Sequence, residues 1–174
     1  MKIKAGFCDF DAWIRGIEAY EKTLQTKMNK LQEELAKIGI DAATINFKTA
    51  DYPGENDVVV DPAPKWINDN TLVIEASGAS ILFIEFGAGV YYASDAHPKA
   101  DELGYKRGEY GHKLGRLETW RYEGEKGQGG LAWESDKHPG MLETHGNPAN
   151  RCMYEAGKAM REKVIEVAKE VFRE

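Results

Sequence analysis

The chain lacks any long hydrophobic run. No segment of its 174 residues approaches the ~20 apolar residues of a membrane-spanning helix, so none reads as a helical span. Cysteine is scarce. Cys8 and Cys152 lie far apart, and in a cytosolic setting such a pair reads as two free thiols rather than a bridge. A basic excess is missing too. Lys and Arg number 23 against 29 Asp and Glu, a net charge of −6 with both signs mixed along the chain. That argues against a sequence-independent grip on DNA or RNA, and against docking on an anionic membrane, because both need clustered cations. The first residues, Met1 to Cys8, turn acidic too soon for a signal peptide. There is no internal repeat and no low-complexity tract.

What is present fits a globular chain with a real core. The hydrophobic fraction is 42% and the charged fraction 30%, ordinary values for such a protein. One domain over residues 1–174 is the expectation at this length. The most informative stretch is 80–92, an apolar run with Glu85 in its middle and Gly87 and Gly89 at its exit. Its length and composition predict a strand inside a sheet. On that strand Glu85 shares a face with Ile81 and Phe83, while Leu82, Ile84 and Phe86 point the other way. A carboxylate there needs a partner or a purpose. The two glycines suit a bend or a close backbone approach.

Around this stretch the periodicities are clear. Asp9 or Asp11 can cap a helix. From there Ile17, Tyr20, Leu24, Met28, Leu31, Leu35 and Ile38 follow at steps of three or four. They form the apolar seam of a long amphipathic helix, which Gly39 ends or which runs on with a kink to Phe47. A helix this long carries more seam than a small domain covers, which points to a partner, or a second copy, along it; the alternative is that it packs across the domain's own sheet. Residues 57–61 read as a short strand halted by Pro62 and Pro64. Residues 71–76 and 81–86 read as a hairpin. Residues 93–150 are rich in Gly, His, Lys and Glu, an irregular insertion with strand-like patches at 117–122 and 131–134. The glycines of 123–130 between those patches predict a hairpin turn or a mobile loop. After Asn147-Pro148-Ala149-Asn150 a final helix begins, with Met153, Ala156, Met160, Val164, Val167, Ala168 and Val171 along one face.

Chemistry is hard to assemble from these parts. His97, His112, His138 and His145 all fall in the irregular region, near Asp95, Glu109, Asp136 and Glu143. Histidine and carboxylate are metal ligands, but no pair has the spacing of a zinc motif. Cys152 opens a helix on its apolar side, which predicts a buried, inert thiol. No nucleophile elbow and no Walker loop occur, and the glycines at 127–130 lack the strand and helix of a dinucleotide fold. Glu85 is the one carboxylate placed for acid chemistry, and it lacks a recognisable second group. Its structural alternative is a carboxylate held by backbone N–H groups or an arginine, within the chain or across a subunit boundary.

Several segments together resemble a known family. They are Phe83-Ile84-Glu85-Phe86-Gly87-Ala88-Gly89, His97-Pro98, Gly104-Tyr105, the aromatic patch at Trp120 and Tyr122, and Gly146-Asn147-Pro148-Ala149-Asn150 leading into Met153-Tyr154-Glu155-Ala156. With the long first helix, the chain resembles the tail-component proteins (head–tail joining, tail completion) of long-tailed phages. That family is typified by the gene-ten product of HK-ninety-seven-type siphophages. Where many members carry Pro-x-Asp-Thr-Gly-x-Leu-x-x-Ser, this chain has Tyr52-Pro53-Gly54-Glu55-Asn56-Asp57. The resemblance implies an α+β fold: a long N-terminal helix, a small antiparallel β-sheet, and a C-terminal helix packed on the sheet. It implies a virion structural role at the neck or tail, no catalysis, no cofactor and no metal. The implied partners are copies of itself in a ring, neighbouring head-connector and tail proteins, and DNA passing through without sequence-specific contact. The residues expected to carry contacts are Ile17, Leu24, Met28, Leu31, Leu35, Glu85, Phe86, Gly87 and Gly89. Two other readings stand beside it. One is a small metal-dependent hydrolase using the loop histidines and Glu85. The other is a cytosolic adaptor that binds a helix along the seam.

Overall fold

The computed structural model describes residues 10–106 and 117–173. Cys8, the Asp9 cap, Glu109 and His112 lie outside the described residues. The fold is α+β. A 39-residue helix α1 (Phe10–Lys48) is followed by four short strands, β1 (Val59–Val60), β2 (Lys65–Asn68), β3 (Thr71–Val73) and β4 (Ala76–Ser77). Two short helices come next, α2 (Ile81–Phe86) and α3 (Ala100–Leu103). Strands β5 (Trp120–Tyr122), β6 (Ala132–Glu134) and β7 (Leu142–Thr144) lead to the 22-residue helix α4 (Cys152–Arg173). No helix among the described residues is long and apolar enough to cross a membrane.

α1 does not stop at Gly39. The glycine sits where other parts of the fold come closest to the helix, and a Cβ there would lie 2.5 Å from Ile74 and 2.6 Å from Met160. α4 packs chiefly along α1 rather than on a sheet, which corrects the expected placement of the C-terminal helix. The predicted apolar face of α4 is the one turned inward, with Ala156, Val167 and Val171 buried. Phe47 and Ala50 at the end of α1 join Ile84 and Cys152 in the core, with Ile81, Val58, Val60 and Met153 packed around them.

Residues 81–86 form a helix, not a strand, and the hairpin expected between 71–76 and 81–86 does not exist. β3 turns back on β2, with Trp66 opposite Leu72, and β4 pairs with β1, with Val60 opposite Ala76. The start of α2 is fixed by Asp57. Its carboxylate accepts the Ser80 N–H at 3.0 Å, the Ala79 N–H at 2.6 Å and the Ser80 hydroxyl. Asp57 thus pins the two residues that lead into the helix, between the end of β4 and the first turn of α2.

The Ser80 hydroxyl first, then the backbone donors, hold the Asp57 carboxyl below its ordinary 3.8, at about 2. A depressed folded value stabilises the fold above the unfolded value, and that contribution fades as pH falls from about 4 toward about 2. The midpoint of urea unfolding should therefore drop across that window. Asp57→Asn should flatten the drop there and lower the midpoint at neutral pH.

The described parts of the region 93–150 are more ordered than their composition predicts. β5, β6 and β7 make an antiparallel sheet in which β7 lies between the other two. Thr144 faces both Trp120 and Ala132, and Leu142 faces both Tyr122 and Glu134. The patches at 117–122 and 131–134 thus contain strands, but the unforeseen β7 separates them. The glycine loop between them is neither a tight hairpin nor free. Gly127 N–H donates to the Pro53 carbonyl at 3.0 Å, and the Tyr122 hydroxyl donates to the same oxygen.

Candidate functional site

Glu85 is the buried charge that the sequence marks, and the structure accounts for each of its oxygens. α2 turns Ile84, Glu85 and Phe86 inward. Oε2 accepts the Met153 N–H at 2.9 Å, and Oε1 accepts the Tyr154 N–H at 3.1 Å. These are second and third residues of α4, whose first-turn donors have no partner within their own helix. The carboxylate therefore caps α4 from another segment, and its charge faces the positive end of the helix dipole. Of the two structural partners open to Glu85, backbone N–H groups and an arginine, the backbone groups of its own chain are the ones present.

A third donor completes the set. His97 is 4% exposed, and its Nε2 lies 3.1 Å from Glu85 Oε1. The Nδ1 on the other side of the ring accepts the Lys99 N–H at 3.0 Å. A nitrogen that accepts carries no proton, so the proton sits on Nε2 and is donated to Glu85. Both ring nitrogens are thereby engaged inside the protein. Phe86 packs against the His97 ring at 4.5 Å between centroids, and Tyr154 meets it edge-on at 5.4 Å. A general acid–base pair needs one open nitrogen or oxygen aimed at a substrate. This pair is arranged as a joint. Sequence reading marked Glu85 and His97 separately; nothing in their spacing of 12 residues signalled that they meet.

The chain leading into α4 is bound to the same place. Asn150 N–H donates to Ile84 O at 3.0 Å and Arg151 N–H to Glu85 O at 3.1 Å. The Asn150 side chain also accepts from Asp51 N–H at 2.8 Å and donates to Asp51 O at 2.9 Å, tying in the end of α1. Arg151 adopts φ 58°, a left-handed conformation unusual outside glycine, just before the helix starts. Its guanidinium pairs with Asp95. Cys152 follows, fully buried. Burial first, and then the nearby charge of Glu85, push its thiol up to about 12, which leaves no thiolate for nucleophilic chemistry.

The glycines after α2 answer to close approach. Gly87 takes φ 81° and Gly89 φ 74°. A Cβ on Gly89 would lie 2.6 Å from the Trp120 ring and 2.8 Å from the His145 carbonyl. Between them Ala88 forms a two-way backbone bridge with Asn147, at 3.1 and 3.3 Å. Asn147 is wholly buried, and its amide donates to Phe83 O at 2.9 Å.

The remaining histidines are scattered. His145 is stacked on Tyr91 at 4.3 Å and held by Thr119 and the Glu118 carbonyl. His138 lies close enough to Glu143 to act on its charge. Glu143 accepts the Ser135 hydroxyl at 2.7 Å, and that bond is the main reason its carboxyl is held below the usual value. Among the described residues, no three of His, Cys, Asp and Glu are placed together to hold a metal ion.

The expected contact residues divide into two groups. Glu85 and Phe86 are buried and serve the interior, and Gly89 serves the bridge beneath Trp120. On α1, Leu31 and Leu35 are half-buried, whereas Ile17, Leu24 and Met28 are exposed, together with Phe10, Trp13, Ile14 and Tyr20. Comparison with protein-family models, with curated proteins and with solved structures yields no match for this chain.

Proposed function

We propose that this chain is a structural subunit of a long-tailed phage or prophage virion, made in the bacterial cytoplasm and acting in head–tail joining or tail completion. The observation that carries the reading is the exposed half of α1, where Phe10, Trp13, Ile17, Tyr20, Leu24 and Met28 form an exposed apolar seam. A monomeric domain gains nothing by displaying such a surface, whereas a subunit that assembles uses it. The joint at Glu85 adds support. The two segments that carry the family resemblance, 83–89 and 146–156, are far apart in sequence, yet they touch through Glu85, Ile84, Ala88 and Asn147. Residues bound to one another in this way form a structural unit. In this reading the partners are further copies in a ring, with head-connector and tail proteins above and below. A net charge of −6 suits a channel through which DNA slides without sticking.

The test is genetic. Deleting the gene from an inducible prophage that carries it, then imaging the lysate by negative-stain electron microscopy, should show DNA-filled heads separate from free tails. Overlong or misshapen tails would move the role to the end of the tail tube. Normal infectious particles would refute the reading.

A further inference from the structure

The sheet of β5, β7 and β6 turns one face inward, where Leu142 and Thr144 are buried. Strand alternation puts Arg121, Glu143 and Trp133 on the other face, side by side in one cross-strand row. Glu143 is the hub of that row. Besides the Ser135 hydroxyl it accepts the Trp133 indole N–H, and Arg121 Nε lies 3.6 Å from it. The indole is thus held by its polar edge, and Trp133 remains 37% exposed.

His145 continues this face just past the end of β7. Its Nδ1 lies 2.8 Å from the Glu118 carbonyl and 2.9 Å from the Thr119 hydroxyl. A carbonyl only accepts, so Nδ1 carries the proton, and Nε2 of the neutral ring is an acceptor. Among the described residues Nε2 has no hydrogen-bond partner, and it is not enclosed. Tyr91 lies on the imidazole nearly parallel, at 4.3 Å and 14°, and Trp133 leans on it at 4.9 Å. Although Tyr91 covers His145 with one face, it is still 57% exposed. Two exposed aromatic rings therefore flank one fixed, unused acceptor.

We propose that Tyr91, His145 and Trp133 form a saccharide-binding site, in which a sugar ring rests on the aromatic faces and gives a hydroxyl proton to His145 Nε2. Charge selects this class of ligand. The charged side chains of the three strands are paired, Arg121 with Glu143 and Glu134 with Lys126. The sheet thus offers no lone carboxylate to draw a cation and no lone cation to draw an anion. What it offers is apolar ring surface beside a neutral acceptor. A pyranose matches both parts. Its C–H face is attracted to the electron-rich face of an aromatic ring, and its hydroxyls are donors. The site is also held in place before any ligand arrives. Glu143 fixes the indole, Glu118 and Thr119 fix the imidazole, and the imidazole supports Tyr91. Little ordering is left to oppose binding. The inference goes beyond the virion role and does not depend on it.

The test is a nuclear magnetic resonance titration of the full chain, labelled with nitrogen-15. The probes are the methyl glycosides of glucose, galactose and N-acetylglucosamine. The indole N–H signal of Trp133, assigned through Trp133→Phe, should shift and saturate with at least one of them, with a Kd on the order of 1 mM for so small a ligand. The Kd should hold between low and high salt, because the ligand is neutral. Tyr91→Ala should weaken binding by about fivefold or more through the lost ring face. His145→Asn keeps a donor for the Glu118 carbonyl and lacks the second nitrogen, and it should weaken binding to a similar degree. Trp66→Ala, at an exposed indole on another sheet, should leave the Kd unchanged. Tyr91 and Trp66 are exposed, so circular dichroism should show both variants folded. No saturable shift with any of the three sugars would overturn the proposal. So would sugar binding that Tyr91→Ala and His145→Asn both leave intact. A response to tetramethylammonium as strong as that to the sugars would also overturn it, since the rings would then be reading a cation.

Discussion

Glu85→Ala should lower the unfolding free energy by about 3–5 kcal/mol, the range for removing one partner of a buried polar pair. The loss is large because three donors depend on one carboxylate. Without it the N–H groups of Met153 and Tyr154 and the Nε2–H of His97 are left facing each other in a buried site. Glu85→Gln should fall between, since the amide keeps one acceptor oxygen but turns an N–H₂ group toward donors. Glu155→Ala, one turn along α4 and partly exposed, should cost about 0.5 kcal/mol or less. Urea titrations of the four proteins, compared at constant slope, make the measurement. Equal small effects from Glu85→Ala and Glu155→Ala would mean that the cap does not hold α4.

Gly146→Ala should be of similar severity, about 3 kcal/mol or more, from a left-handed backbone combined with steric overlap. Gly146 has φ 90°, and a Cβ there would overlap the Ala88 carbonyl and lie 2.7 Å from the Trp120 ring. The bridge between Ala88 and Asn147 must part or the indole must move. Gly130→Ala provides the contrast. It shares a positive φ of 65° but faces open space, so it should cost only the conformational strain of about 1–2 kcal/mol. Near-ultraviolet circular dichroism separates the two variants, because only Gly146→Ala should disturb the environment of Trp120.

The parts of the fold that were legible in the sequence are those whose signal repeats. Seven apolar residues at helical steps marked α1, and seven more marked α4. Residues 81–86 gave the opposite result. A short apolar run has too few residues for its period to be measured, so strand and helix look alike. The contact that holds the entry to this helix, Asp57 on the N–H groups of Ala79 and Ser80, is formed between segments. β7 was hidden for a like reason, since three residues, Leu142 to Thr144, are too few for an alternation to be read from sequence. At the site, the burial of Glu85 was readable as a charge inside an apolar run. Its partners were not, because two of them are backbone N–H groups 68 and 69 residues away, and a backbone donor leaves no mark in a sequence. Ile17 and Leu31 belong to one unbroken pattern, yet α4 covers the seam only from about Lys27 onward. Where that cover ends is a property of tertiary structure alone.

The antiparallel packing of α1 on α4 also orders events during synthesis. α1 leaves the ribosome about a hundred residues before its partner does. At about 5–20 residues per second, its inner face waits about 5–20 s for α4 to appear. During that interval the half of the helix destined for the interior is uncovered, and nascent chains on one message can pair through it. Early termination before Cys152 would make the state permanent, removing the cover of α1 together with the thiol and the helix that Glu85 caps. The C-terminal helix is thus a late step of folding, and until it docks the chain carries more sticky surface than the finished subunit.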